Sequence, residues 1–266
     1  MKVLFVRQFL LFFAGILLAG LLGVAQADNG YRSDGLALAA QGEFDAAIAL
    51  AQENGDDALE ARVLIEKLMT HLERKSDKSA RKDLKRLKTV SRRAQEANPD
   101  DVETSIMLAT AIWLDARETG KLSGYLKGLP QESRRLLEHA VDIAPDNPRA
   151  KGQLGIWNLD VIRRGGEDGA KRLSADETLG LSLWREALAG QPDDIVLAAH
   201  GAFVLLDMNP GLYSEEAIGV LKSTAARPPE NRLEEAMIAR VNQVLAAVDQ
   251  QDDDALDDLL TAWLGK

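Results

Sequence analysis

The chain has 266 residues, with 32 Lys and Arg against 42 Asp and Glu, a net charge of −10 at pH 7, and no Cys. That balance excludes general nucleic-acid binding, which needs a positive surface to displace counterions. The lack of Cys excludes disulfides, thiolate metal sites and acylation on a cysteine, and the length suffices for a core that needs no staples.

Residues 1–27 read as a secretory signal peptide. Lys2 and Arg7 give a positive start, 9–24 are an apolar run, and Ala25-Gln26-Ala27 is a small-x-small cleavage site. The expected location is periplasmic or secreted. The alternative is an inner-membrane anchor left uncleaved, because an apolar run of 16 residues approaches the lower limit for a span. Cleavage removes Lys2 and Arg7 and takes the net charge from −10 to −12.

Beyond residue 30 apolar residues recur at helical spacing, and β-branched residues never alternate as strands require. A first hairpin spans 36–40 and 44–48 around Gln41-Gly42. Gly55-Asp56-Asp57 precedes a helix starting near Ala58, with Val63, Leu64, Leu68 and Leu72 on one face. A polar break at 75–77 leads into a further helix ending near Ala97.

A phrase then returns three times: Ala94…Pro99-Asp100-Asp101, Ala140…Pro145-Asp146-Asn147 and Ala187…Pro192-Asp193-Asp194. Its prolines lie 46 and 47 residues apart, a period that marks stacked helical hairpins. Proline ends one helix and the Asp or Asn after it caps the next. Helix pairs are therefore expected at 101–118 and 131–143, 147–164 and 175–189, 194–207 and 214–226, and, after Pro228-Pro229, 230–248 and 252–264.

These residues resemble the tetratricopeptide repeat (TPR) family. Gly180, Trp184, Ala187 and Pro192 match its second-helix pattern, and Ser133, Leu137, Ala140 and Pro145 match it with an aliphatic residue for the aromatic. Leu154-Gly155 fits the first helix, and Leu108-Ala109 is close. Each repeat exceeds the usual length of about 34 residues. The surplus falls in inserts bearing Gly120, Gly124 and Gly128, then Gly165-Gly166 and Gly169. The resemblance implies an all-α, right-handed α-solenoid of stacked antiparallel helical hairpins. Residues 28–98 would form N-terminal hairpins and 99–266 the repeat region, ending in an acidic capping helix.

In that family ligands lie along a groove lined by the first helices. The corresponding positions here are Glu103, Ile106, Thr110 and Trp113, then Arg149, Ile156 and Asp160, then Phe203 and Asp207. Ile106 and Thr110 stand where relatives that clamp a C-terminal carboxylate carry Lys and Asn, so no such clamp is expected. Trp113 and Phe203 are either partner anchors or packing between hairpins.

Residues 74–93 hold ten Lys or Arg and two Asp. On the 78–97 helix, Lys78, Arg81, Lys82, Lys85, Arg86, Lys88, Arg92 and Arg93 form one face opposite Leu84, Leu87 and Val90. Such a helix meets anionic lipid, an acidic envelope polymer or an acidic protein; alternatively it is a solvated outer face, or is neutralised by the acidic cluster at 249–258.

Enzyme signatures are thin. Ser79-Ala80-Arg81-Lys82 matches Ser-x-x-Lys without the partner motifs of penicillin-recognising enzymes. The segment 165–169 follows no strand and reads as a flexible connector. His71, His139 and His200 fall in different repeats, and no metal or other cofactor is expected. The expectation is a non-catalytic interaction scaffold or assembly factor of the cell envelope, binding a protein or peptide along a mainly apolar groove. A periplasmic small-ligand carrier or transport component is the first alternative, and an envelope hydrolase the second. A large closed apolar cavity would favour the carrier, a tight cluster of carboxylates and His the enzyme, and an open groove with neither the scaffold.

Overall fold

The computed structural model describes residues 30–72 and 78–265; the signal segment 1–27 and the polar break at 75–77 lie outside the described residues. The described chain is all-α, with thirteen helices and no strand among the described residues. They are α1 (30–40), α2 (Phe44–Glu53), α3 (Asp57–Thr70), α4 (Lys78–Ala97), α5 (Val102–Thr119), α6 (Lys121–Leu126) and α7 (Leu129–Ile143). There follow α8 (Pro148–Leu173), α9 (Glu177–Gly190), α10 (Ile195–Met208), α11 (Pro210–Ala225), α12 (Arg232–Gln250) and α13 (Asp253–Leu264).

The boundaries have local causes. In each Pro-Asp phrase the third residue is the cap: Asp101 accepts from Thr104 N at 2.9 Å, Asn147 from Ala150 N at 3.0 Å, and Asp194 from Leu197 N at 2.8 Å. Each satisfies an N–H that the first helical turn leaves without an intrahelical partner. Asp56, Asp176, Asn231 and Asp252 do the same outside the phrase. The alanines of the phrase, Ala94, Ala140 and Ala187, are buried where helices meet.

Both glycine-bearing inserts contain helix. The first forms α6, flanked by Gly120 and Gly128 at φ of 83° and 71°. The second lengthens α8 past the expected end near 164, with one break at Gly166 (φ 58°, ψ −158°). Segment 165–169 thus differs from a loop connector, because a single residue leaves helical geometry and glycine does so without a Cβ clash.

Successive helices pair as hairpins: α3 with α4, α5 with α7, α8 with α9, and α10 with α11. The α8–α9 backbones approach closely, since a Cβ on Gly155 would sit 2.7 Å from Trp184 N and 2.8 Å from Gly180 O. Fully buried Trp184 then lies over Gly201 of α10 and donates Nε1–H to Leu197 O at 3.3 Å. One side chain so joins two successive hairpins.

The first helices α3, α5, α8 and α10 form an inner row, and α12 packs against both α10 and α3, closing the row on itself. Cross-links show a common direction. Arg149–Glu103 (3.1 Å) ties the starts of α8 and α5, Arg163–Asp207 (2.5 Å) ties later turns of α8 and α10, and Arg240 of α12 donates to Thr70 O at the end of α3 (3.0 Å). Helix α13 lies across the far end of this ring. Its Leu260, Trp263 and Leu264 are buried there, while Asp253, Asp254, Asp257 and Asp258 face solvent.

Candidate binding cavity

A cavity of about 730 Å³ occupies the ring formed by α3, α5, α8, α10 and α12. Charged residues line it at the starts of α5, α8 and α12, with Glu103, Arg149, Glu230 and Glu234, and along α3, with Arg62 and Glu66. Its walls are mainly apolar, from Ile65, Met69, Ile106, Met107, Ile156, Val196 and Leu233. Trp113, Asp160, Arg164 and His200 lie deeper, one or two turns further along the same helices. A side lobe reaches α6 and α7 at Tyr125, Leu129 and Ser133.

Helix α13 lies behind the deep end without lining it, and arginines from the inner helices hold it there. Arg117 donates to Trp263 O (2.9 Å), Leu72 O (3.2 Å) and Ala262 O. Arg163 reaches Leu264 O (3.4 Å) and Gly265 O (3.4 Å), and Arg164 reaches Leu264 O. Donors at a helix C-terminus satisfy its last carbonyls and complement the negative end of its dipole. The Trp263 ring is 1 % exposed, packs edge-on to His200 and Phe203 at 6.1 and 6.3 Å, and carries the Arg240 guanidinium 4.7 Å above it.

Between cavity and plug lies a buried ionic group. Asp160 accepts from Arg163 Nε at 2.7 Å and Arg164 Nε at 2.8 Å, one oxygen to each. Burial alone would raise its pKa; Arg164 and Arg163 outweigh that and hold the carboxyl below its usual value. Burial likewise opposes the charge on Arg163, but Asp160 and Asp207 more than offset it and raise its pKa. Burial lowers the pKa of Arg117. His200, 6 % exposed, is pushed down to about 4, first by burial and then by Arg163 and Arg164, against an opposing pull from Asp160. Its ring lies 4.9 Å from that of Trp113. Nε2 of His200 and Nε1 of Trp113 are both buried without a hydrogen-bond partner among the described residues.

The groove positions read from the sequence divide between cavity and core. Glu103, Ile106, Thr110, Trp113, Arg149, Ile156 and Asp160 line the cavity. Phe203, 1 % exposed, faces the Trp263 ring beneath α13, and Asp207 is engaged by Arg163. His200, Arg164 and the closing helix were not singled out for this site by the sequence. For His200 a signal existed, since it falls one helical turn before Phe203 on an inner helix.

The basic face of α4 meets carboxylates of neighbouring helices. Arg86 makes a two-pronged pair with buried Glu60 (2.7 and 2.8 Å), Lys88 pairs with Asp115 (2.6 Å), Arg92 with Glu132 (2.7 Å), and Arg93 with Asp57. Lys78, Arg81, Lys82 and Lys85 are exposed at its earlier turns. The acidic C-terminal residues supply none of the ion pairs recorded for this helix among the described residues.

Among the described residues no group of His, Asp and Glu is arranged to hold a metal ion, and no helix is long and apolar enough to cross a membrane. No protein-family model and no curated protein matches this sequence.

Proposed function

We propose that this chain is a non-catalytic binding protein that carries a small organic ligand in the cavity between α3, α5, α8, α10 and α12. One observation carries the reading: the inner helices close on themselves and leave about 730 Å³ of mainly apolar space, within the 300–1,000 Å³ typical of small-molecule sites. A few polar groups converge at its deep end, as orientation of a ligand requires. The hairpin arrangement, the buried repeat alanines and the Gly155–Gly180 approach support a TPR-like solenoid whose last hairpin has turned inward. Residues 1–27 support an exported protein, periplasmic or secreted.

A peptide-binding scaffold is the second reading, favoured by the way the cavity rim runs across the starts of several hairpins. One experiment separates the two. Native mass spectrometry of the full chain, purified without denaturation from its native source, is expected to show an adduct of small-molecule mass. Thr110→Trp, which fills the cavity, should abolish the adduct while leaving circular dichroism unchanged. If no adduct is found and crosslinking instead retrieves a protein that Thr110→Trp also fails to bind, the scaffold reading replaces the carrier.

A further inference from the structure

Charge is spread unevenly over the cavity lining. At the deep end Asp160 is neutralised by Arg163 and Arg164. The rest of the lining carries six carboxylates, Glu66, Glu103, Asp193, Asp194, Glu230 and Glu234, against two arginines, Arg62 and Arg149. Those arginines are already engaged, Arg62 with Glu66 at 3.2 Å and Arg149 with Glu103 at 3.1 Å. Four carboxylates remain, two from the turn before α10 and two from the start of α12, and these helices pack together. Asp194 accepts from Leu197 N at 2.8 Å, and Glu234 accepts from Glu230 N at 2.7 Å and Asn231 Nδ2 at 2.9 Å, all uncharged donors. The carboxylates of Asp193 and Glu230 take no hydrogen bond or ion pair among the described residues. Two arginines close by in the chain are spent elsewhere: Arg227 donates to Pro192 O, and Arg232 pairs with Glu235.

A helix N-terminus favours a carboxylate, which accounts for Asp194, the cap of α10, and for Glu234 in the first turn of α12. Asp193 and Glu230 cap nothing. Both are exposed and both line the cavity, so an opening lies on their side. Behind them the walls are apolar, from Ile65, Ile106, Ile156, Val196 and Leu233. Carboxylates gathered at the opening of a low-dielectric cavity focus their field into it and concentrate positive charge there. We propose that the cavity takes an organic cation with an apolar body, a protonated amine or quaternary ammonium, its charge lying among the α10 and α12 carboxylates and its body against Ile106, Ile156 and Leu233. Burial of the body supplies affinity, and the head supplies the positive charge this side of the lining lacks. A carboxylate head would meet like charge at the opening. An alcohol would leave the excess negative charge unbalanced.

This inference rests on the carrier reading, and the test tells the two apart. Octyltrimethylammonium, octanol and octanoate are titrated into the full chain at pH 7 and followed by calorimetry. The cation is expected to bind at least about tenfold more tightly than octanol, and octanoate more weakly than either. The double variant Asp193→Asn, Glu230→Gln keeps shape and removes two charges that cap no helix. It should weaken the cation about fivefold and leave octanol unchanged, which also shows the cavity intact. Asp257→Asn with Asp258→Asn, on the solvent face of α13, removes the same charge away from the cavity and should change neither ligand. Equal affinity for octanol or octanoate, or equal weakening of the cation by the two double variants, overturns the cation assignment. Octanol binding that Thr110→Trp abolishes then leaves the carrier reading standing. Failure of all three ligands to bind overturns both.

Discussion

His200 is held neutral by its surroundings, and this makes stability depend on pH in a defined window. In the unfolded chain its pKa returns to about 6.5, whereas in the fold it is near 4. Between those values the unfolded state binds the extra proton, so stability rises with pH there and is lost as pH falls from 6.5 toward 4. The full effect is about 3 kcal/mol, to be read as a falling urea midpoint between pH 7 and pH 4.5. His200→Gln removes the titrating group and should flatten that stretch. Asp160 acts in a separate window: its carboxyl is held below the ordinary value, so its contribution is present above about pH 4 and is lost only as pH falls through its lower folded pKa. A second residue-scale expectation concerns Gly201, where an added Cβ would lie 2.1 Å from Trp184 Nε1. Gly201→Ala forces the largest buried ring off its seat and should cost about 1–3 kcal/mol, measured by equilibrium denaturation.

The helices owe their starts to short-range chemistry, and the recurring phrase makes that testable. Asp101, Asn147 and Asp194 cap three different helices, so replacing any one by Ala should cost about 1 kcal/mol. Because the three sites share no partners, a triple variant should lose roughly the sum; a loss far above it would mean that the caps act together. This level of structure was legible in the sequence, since proline, cap and buried alanine all act within a few residues of one another. The register that placed Ile106, Trp113 and Ile156 on one cavity came from the same phrase. Other features were not legible because their partners are remote. The Arg117–Trp263 O bond spans 146 residues and the Arg163–Gly265 O bond 102, and no local pattern in α13 announces which surface its apolar face will meet. The acidic residues of α13 read as a polar end cap and do face solvent, but its other face is packed inside. The basic stripe of α4 was similarly open-ended: its pairs with Glu60, Asp57, Asp115 and Glu132 come from three other helices, and a helical wheel shows only the stripe.

At the scale of the whole molecule, closure changes how the hairpin stack should come apart. In a linear stack each repeat contacts only its neighbours, and protection decays toward the ends. Here α12 touches α3 across the ring, and the Arg240–Thr70 O bond spans 170 residues of sequence. Native-state hydrogen exchange should therefore find the amides of α3 and α12 protected about as well as those of central α8. The seal depends on Trp263, which is buried against Phe203 and His200 and lies beneath Arg240. Trp263→Ala removes a fully buried indole and is expected to cost about 3–5 kcal/mol. Its position in the ring matters more than its size. Loss of the seal frees α12 from its contact with α3, so exchange in the variant should speed up in α12, α13 and α3 together while α8 and α9 keep their protection. Acceleration limited to α12 and α13 would show that α3 does not rely on closure and that the stack behaves as a linear array. Joint acceleration would mean that the cavity wall is stabilised from both ends of the chain, so that a ligand held inside it also stabilises the closed ring.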